Sequence, residues 1–140
     1  SIFVANFLGK SNFLPAEIKS HTGDELKYVV DGKSFLLKRS RIPEVKAVFS
    51  LALRPESLRL CAKAEEALPN KIPGVISKVS YLGQLYEVLV RTEKIGDLMV
   101  TMPLGGARPQ VGEMVHVGWS IESGMPMPGR PDGMDDAYAG

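Results

Sequence analysis

Residues 26–38 read LKYVVDGKSFLLK. Two β-prone runs of alternating polarity flank Asp31-Gly32, a pair suited to the left-handed backbone of a type I′ turn. The stretch therefore predicts a β-hairpin with Gly32 in its turn. It also contains Gly32-Lys33-Ser34, the closing triplet of a phosphate-binding loop, and a second such triplet stands at Gly9-Lys10-Ser11. A phosphate cradle needs G-x-x-x-x-G-K-[ST] between a strand and a helix, so that backbone amides can wrap the phosphates. Val4 and Lys27 occupy the positions where the first glycine would stand. Neither triplet makes that loop, and Gly9 reads instead as the stop of a short apolar helix.

Beyond the hairpin, strand patterns dominate from Phe13 onward. The run VKAVFSLALRP places Phe49, Leu51 and Leu53 on one face, and LYEVLVRT does the same with Tyr86, Val88 and Val90. GVISKVSYLG, DLMVTMP and EMVHVGW follow the same period, the last with Val115, Val117 and Trp119 on one side. Glycine and proline punctuate these runs at short intervals, which argues for an all-β barrel or sandwich. The segment 62–71, AKAEEALPNK, has helix-forming composition, but Pro69 and Pro73 confine it to a linker or a single turn. Residues 2–8, IFVANFL, set Phe3 and Phe7, and Val4 and Leu8, on neighbouring helical rows. Seven residues are too few for an isolated helix, so this segment must dock onto another surface. The final stretch 121–140, rich in proline and glycine and without period, reads as a flexible tail.

The chain has 140 residues, enough for one sizeable core, with 44% hydrophobic and 24% charged residues. A formal net charge of +1 gives no global field for nucleic acid or an anionic membrane. The local basic run LKRSR at 37–41 reads as a solvated loop. Cys61 is the single cysteine, so no intrachain disulfide is possible, and its setting in LRLCA marks it as a small buried hydrophobe. No apolar run reaches the roughly 18 residues that a membrane helix needs. The first residue is Ser rather than Met, which suggests a piece of something larger.

Several chemistries fail on their residues. GWSIE at 118–122 approaches G-x-S-x-G, but Glu122 stands where glycine is required and no strand-to-helix elbow follows. His21 and His116 are the two histidines; they do not form H-x-x-x-H, and one cysteine cannot complete a thiolate zinc site. Alternation with Val115 and Val117 puts His116 on the outer face of its strand. Adjacent carboxylates occur at Glu65-Glu66 and Asp135-Asp136, in expected loop and tail, and give no paired acid and base.

The stretches FVANFLGKSNFL, LALRPESLRL and GVISKVSYLGQLYEVLV…VGEMVHVGW together resemble the C-terminal region of ATP-binding subunits of bacterial ABC importers. In the branch that handles polyamines, ferric iron and sugars, a closing helix of the form F-V-A-x-F-[IL]-G-x-x-N precedes a TOBE (transport-associated OB) domain. The helix matches at Phe3, Val4, Ala5, Phe7, Leu8, Gly9 and Asn12. Arg54-Pro55-Glu56 matches the family's R-P-E, Gly83 its turn glycine, and Gly118-Trp119 its closing pair.

The resemblance covers residues 1–120. It implies an OB-fold-like (MOP-like) barrel of short strands preceded by a short helix. Residues 1–9 would be the last helix of an ATPase domain, 12–120 the TOBE domain and 121–140 the tail. It implies a non-catalytic regulatory and dimerisation role, with no catalytic, metal or cofactor residue in this chain. ATP and magnesium would belong to the parent subunit, since the Walker motifs and LSGGQ are missing here. Partners would be that ATPase domain, a second copy and, through the parent, the membrane subunits. The setting would be cytoplasmic, at the inner face of the membrane. Phe3, Phe7, Arg54, Pro55, Glu56, Gly83 and Trp119 are the interface and regulatory candidates.

Relatives that bind molybdate carry Thr-Ser-Ala-Arg-Asn, which this chain lacks. The alternative reading is a free-standing OB-like module for a small ligand or an oligonucleotide, with Tyr28, Phe35, Tyr81 and Tyr86 as stacking residues. A small hydrolase using Ser120 is a distant third.

Overall fold

In the computed structural model Asp31 and Gly32 have φ of 47° and 81°, the left-handed pair that a type I′ turn demands. The structure describes residues 11–38, 47–61 and 68–128; Phe3, Phe7, the expected helix over 1–9 and residues 129–140 lie outside them. The first half contains β1 (Asn12–Thr22), β2 (Glu25–Val30), β3 (Lys33–Lys38), β4 (Val48–Leu53) and β5 (Arg59–Cys61). The second contains β6 (Asn70–Tyr81), β7 (Leu85–Arg91), β8 (Asp97–Pro103), β9 (Met114–Trp119) and β10 (Met125–Pro128). All pairing among these strands is antiparallel. The hairpin read from residues 26–38 forms as expected, in register from Val30↔Lys33 to Glu25↔Lys38.

Two five-stranded sheets result, ordered β10-β4-β1-β2-β3 and β5-β9-β6-β7-β8. Each is a three-strand meander whose first strand also pairs with a fourth. The fifth strand of each sheet comes from the other half: β5 crosses to β9 and β10 crosses to β4. The turn that carries each crossing closes the sheet it enters. Residues 55–57 pack against β8, and Ile121 accepts a hydrogen bond of 2.7 Å from the Lys38 N–H at the end of β3. The fold is all-β among the described residues, with one 3-10 turn at Pro55–Ser57.

The halves also repeat locally. Asn12-Phe13-Leu14-Pro15-Ala16-Glu17-Ile18 matches Asn70-Lys71-Ile72-Pro73-Gly74-Val75-Ile76. The ladder to the next strand shifts register just after each isoleucine, between Ile18 and Ser20 and between Ile76 and Lys78. Ile18 N–H donates to Ala47 O, and Ile76 N–H to Glu113 O. Those bonds run toward β4 and β9, so alternation turns the nitrogens of Pro15 and Pro73 to the opposite edge. There β2 and β7 have not yet joined, and a residue without an N–H loses no ladder bond.

The core is continuous between the sheets. Leu14, Leu26, Tyr28, Phe35, Leu37, Phe49, Leu51 and Leu53 meet Ile72, Ile76, Val88, Val90, Leu98, Val115, Val117 and Trp119. Apolar residues at alternate strand positions supply it, and removing their surface from water is the main stabilising term. Cys61 is buried, as its surroundings predicted.

Residues 121–128 correct the expected tail. Met125–Pro128 forms β10 and pairs with β4 from Met125↔Ala52 to Pro128↔Phe49. Pro126 and Pro128 alternate with methionines, so both ring nitrogens face one edge of the outermost strand. Such a strand is compatible with the sheet while showing none of the composition of a strand. The linker over 62–71 is also shorter than expected, because Asn70 already begins β6; residues 62–67 lie outside the described ones.

Candidate functional site

Arg54, Pro55 and Glu56 make the crossing from β4 to β5. Arg54 is extended at φ −72° and ψ 141°, and Pro55 opens the 3-10 turn with its preset φ. Ser57 N–H donates to Arg54 O at 2.9 Å. Pro55 is buried, whereas Arg54 and Glu56 stand in solvent with their charges 3.8 Å apart. Arg54 and Glu56 thus form a local charged contact in which both groups remain accessible.

Gly83, with φ of 88°, sits at the tip of the β6–β7 hairpin, where Leu82 N–H donates to Leu85 O at 2.9 Å. Tyr81 and Leu82 flank it at 62% and 50% exposure, and Tyr81 lies 6.0 Å from the Tyr86 ring. Tyr86 pairs with Met102 and Leu85 with Pro103 on β8, and exposed Leu104 follows. The tip is therefore an apolar surface.

Trp119 takes no part in that surface. It is fully enclosed, 5.0 Å from the Phe35 ring, and its Nε1–H donates to the Tyr28 hydroxyl at 3.2 Å. Burial pushes the Tyr28 phenol well above the ordinary tyrosine range, against the smaller opposing effect of the Trp119 bond. Trp119 and Pro55 thus serve the interior, which corrects the expectation that they are contact residues. Tyr28 and Phe35 are likewise core residues and cannot stack on nucleobases from outside. Ser120 is engaged in the second crossing turn. Its Oγ accepts from the Glu122 N–H at 3.2 Å and lies 3.3 Å from Ser123 Oγ, which is turn chemistry rather than a nucleophile's surroundings.

A site that sequence reasoning misses is a cavity of about 460 Å³ beside the start of β6. Its walls come from β6 and β9, from the β7–β8 turn and from Lys33 on the other half. His116 lies on its wall, partly buried, with Nδ1 enclosed and without a hydrogen-bond partner. No local motif announces this site, because Lys33 joins Arg91 and Lys94 only through the packing of the two halves. Among the described residues no group of three or more His, Cys, Asp and Glu could hold a metal ion. No helix among them is long and apolar enough to cross a membrane.

Comparison with known proteins agrees with this architecture. Residues 51–127 match the TOBE domain family. The chain is 35% identical over 100 residues to the Fe(3+) ions import ATP-binding protein FbpC of Agrobacterium fabrum, covering 71% of this chain and 26% of that protein. It is 30% identical over 142 residues to the spermidine/putrescine import ATP-binding protein PotA of Pseudomonas aeruginosa, covering 89% of this chain and 36% of that one. The chain thus spans between about a quarter and somewhat over a third of the length of these relatives. The cytoplasmic molybdate-binding protein ModG, solved with molybdate bound, superposes with a TM-score of 0.70 at 9% identity, over 84% of this chain and 96% of ModG. That likeness supports the OB-fold-like, MOP-like barrel expected from the sequence. With a family match over more than half its length, the chain belongs to the TOBE domain family.

Proposed function

We propose that this chain is the non-catalytic regulatory and dimerisation domain of the ATP-binding subunit of a bacterial ABC importer, in the polyamine or ferric iron branch. The observation that carries the reading is its match to a minor part of FbpC and PotA, both named as import ATP-binding proteins. The parent subunit would hold ATP and magnesium and would sit at the cytoplasmic face of the membrane with the transporter's membrane subunits. This domain would restrain or release the ATPase cycle through contacts that differ between open and closed ATPase dimers, since an equilibrium shifts only by differential interaction.

The exposed charges of Arg54 and Glu56 and the apolar tip around Gly83 are the surfaces for those contacts, with the ATPase domain or a second copy. Phe3 and Phe7 would join this domain to the ATPase. Charges at an interface rim set register and approach more than affinity.

The gene upstream of the codon for Ser1 tests the reading. A continuous frame encoding G-x-x-x-x-G-K-[ST] and LSGGQ is expected. A start codon immediately before Ser1 would overturn it. In the full-length subunit, Glu56→Arg should change ATP hydrolysis or dimerisation while leaving the fold intact; an unchanged cycle would remove this turn from the regulatory surface.

A further inference from the structure

The cavity beside β6 combines three features that rarely coincide on a solvated sheet face. Its floor is apolar, made by Pro73, Val75 and Met114, and Val75 and Met114 remain 40% and 79% exposed. Its rim carries Lys33, Arg91 and Lys94 against a single carboxylate, Glu93. Among the described residues none of these three cations makes an ion pair. The His116 imidazole in its wall has no hydrogen bond at Nδ1 to fix the ring, and an enclosed polar atom without a partner calls for one.

The first half of the chain offers the control. At the matching places β1 carries Glu17 where β6 carries Val75, and β4 carries Ser50 where β9 carries His116. A repeat that kept only the fold would not need a cationic rim around an apolar floor on one half.

We propose that this cavity binds a small organic anion, a carboxylate carried on an apolar body. The volume of about 460 Å³ lies within the range of small-molecule sites. The carboxylate engages the Arg91 guanidinium, whose planar fork matches it, with Lys33 and Lys94 adding charge. The apolar body covers Val75 and Met114, and the unheld imidazole turns to bond the ligand. A compact inorganic oxyanion leaves the floor uncovered, and the floor is what separates this site from one for phosphate. The proposal does not depend on the importer reading, because binding is measured on this chain alone.

Amide NMR spectra of the 140-residue chain, titrated with 2-naphthoate, 2-naphthamide and inorganic phosphate, decide it. Saturable shifts are expected for 2-naphthoate at Val75, Arg91, Lys94 and His116. The neutral amide and phosphate should each bind at least about tenfold more weakly. Arg91→Ala combined with Lys94→Ala should weaken 2-naphthoate by a similar factor, with Arg91→Lys restoring part of it. Equal affinity for acid and amide would overturn the cationic rim, and equal affinity for phosphate would overturn the apolar floor. Absence of shifts, or shifts elsewhere on the surface, would overturn the site itself. If the double variant fails to fold, the three-ligand series on the unaltered chain still separates these outcomes.

Discussion

Asn12 and Asn70 hold matching places in the two halves, and each ties its own half to the other. Asn12 Oδ1 accepts from the Met99 N–H at 2.7 Å, and its Nδ2 donates to Met99 O at 2.9 Å and Leu53 O at 3.1 Å. Asn70 Oδ1 accepts from the Leu36 N–H at 2.7 Å, and its Nδ2 donates to Leu36 O at 2.9 Å and Ser120 O at 3.3 Å. Each amide thereby reaches the third strand of the opposite half. One side chain supplies both the donor and the acceptor that an interrupted ladder lacks.

Replacing either asparagine by alanine should therefore lower stability by roughly 2–4 kcal/mol, since it strands buried donors and acceptors. Aspartate should not rescue Asn70, because a carboxylate cannot donate to Leu36 O. Denaturant midpoints of these variants measure this. A loss under about 0.5 kcal/mol for both alanine variants would show that water replaces the amides.

Tyr28→Phe should cost about 1–3 kcal/mol, because it leaves the buried Trp119 Nε1–H without its acceptor. The phenol also predicts a pH effect. Its folded-state pKa is raised, so the folded chain holds this proton more tightly than the unfolded chain does. The associated stability is complete below the unfolded value of about 10 and is lost as pH rises beyond it. In a spectrophotometric titration one of the four tyrosines should ionise only with unfolding. Ionisation of all four before any loss of circular dichroism would contradict the burial.

Gly74→Ala should destabilise by about 1–3 kcal/mol through overpacking. An added Cβ would lie 2.5 Å from Val90 Cγ1 and 2.8 Å from Arg91 O, and Val90 is fully buried. Thermal unfolding beside the wild type reads the effect. An unchanged midpoint would mean that β6 and β7 separate without cost at this point.

Glu56→Ala should change stability by no more than about 0.5 kcal/mol, because its pair with Arg54 is exposed and screened. A larger loss in urea would give the turn a structural role and weaken its assignment to a contact surface.

Much of this fold is legible along the chain because strand alternation and turn chemistry are local. Asp31-Gly32 declares its turn, and Phe49, Leu51 and Leu53 declare their buried face. R-P-E and the glycine of YLGQ carry the family resemblance. The repeat is also present, in Asn-x-(Leu/Ile)-Pro at residues 12–15 and 70–73, but its meaning depends on seeing which strands those asparagines reach. Alternation turns Trp119 inward, as found; its position against Tyr28 and Phe35 removes it from any surface.

Most of the strands, the I′ hairpin and the family follow from the order of residues alone, since each rests on neighbours in the chain. Three features emerge only when the sheets pack: the exchange of β5 and β10 between halves, the strand hidden in a proline-rich stretch, and the gathering of Lys33 with Arg91 and Lys94. The difference lies in the range of the interactions. Backbone geometry and side-chain alternation act over a few residues, whereas an edge strand's partner and a cavity's walls are chosen by whichever distant surfaces bury the most apolar area together.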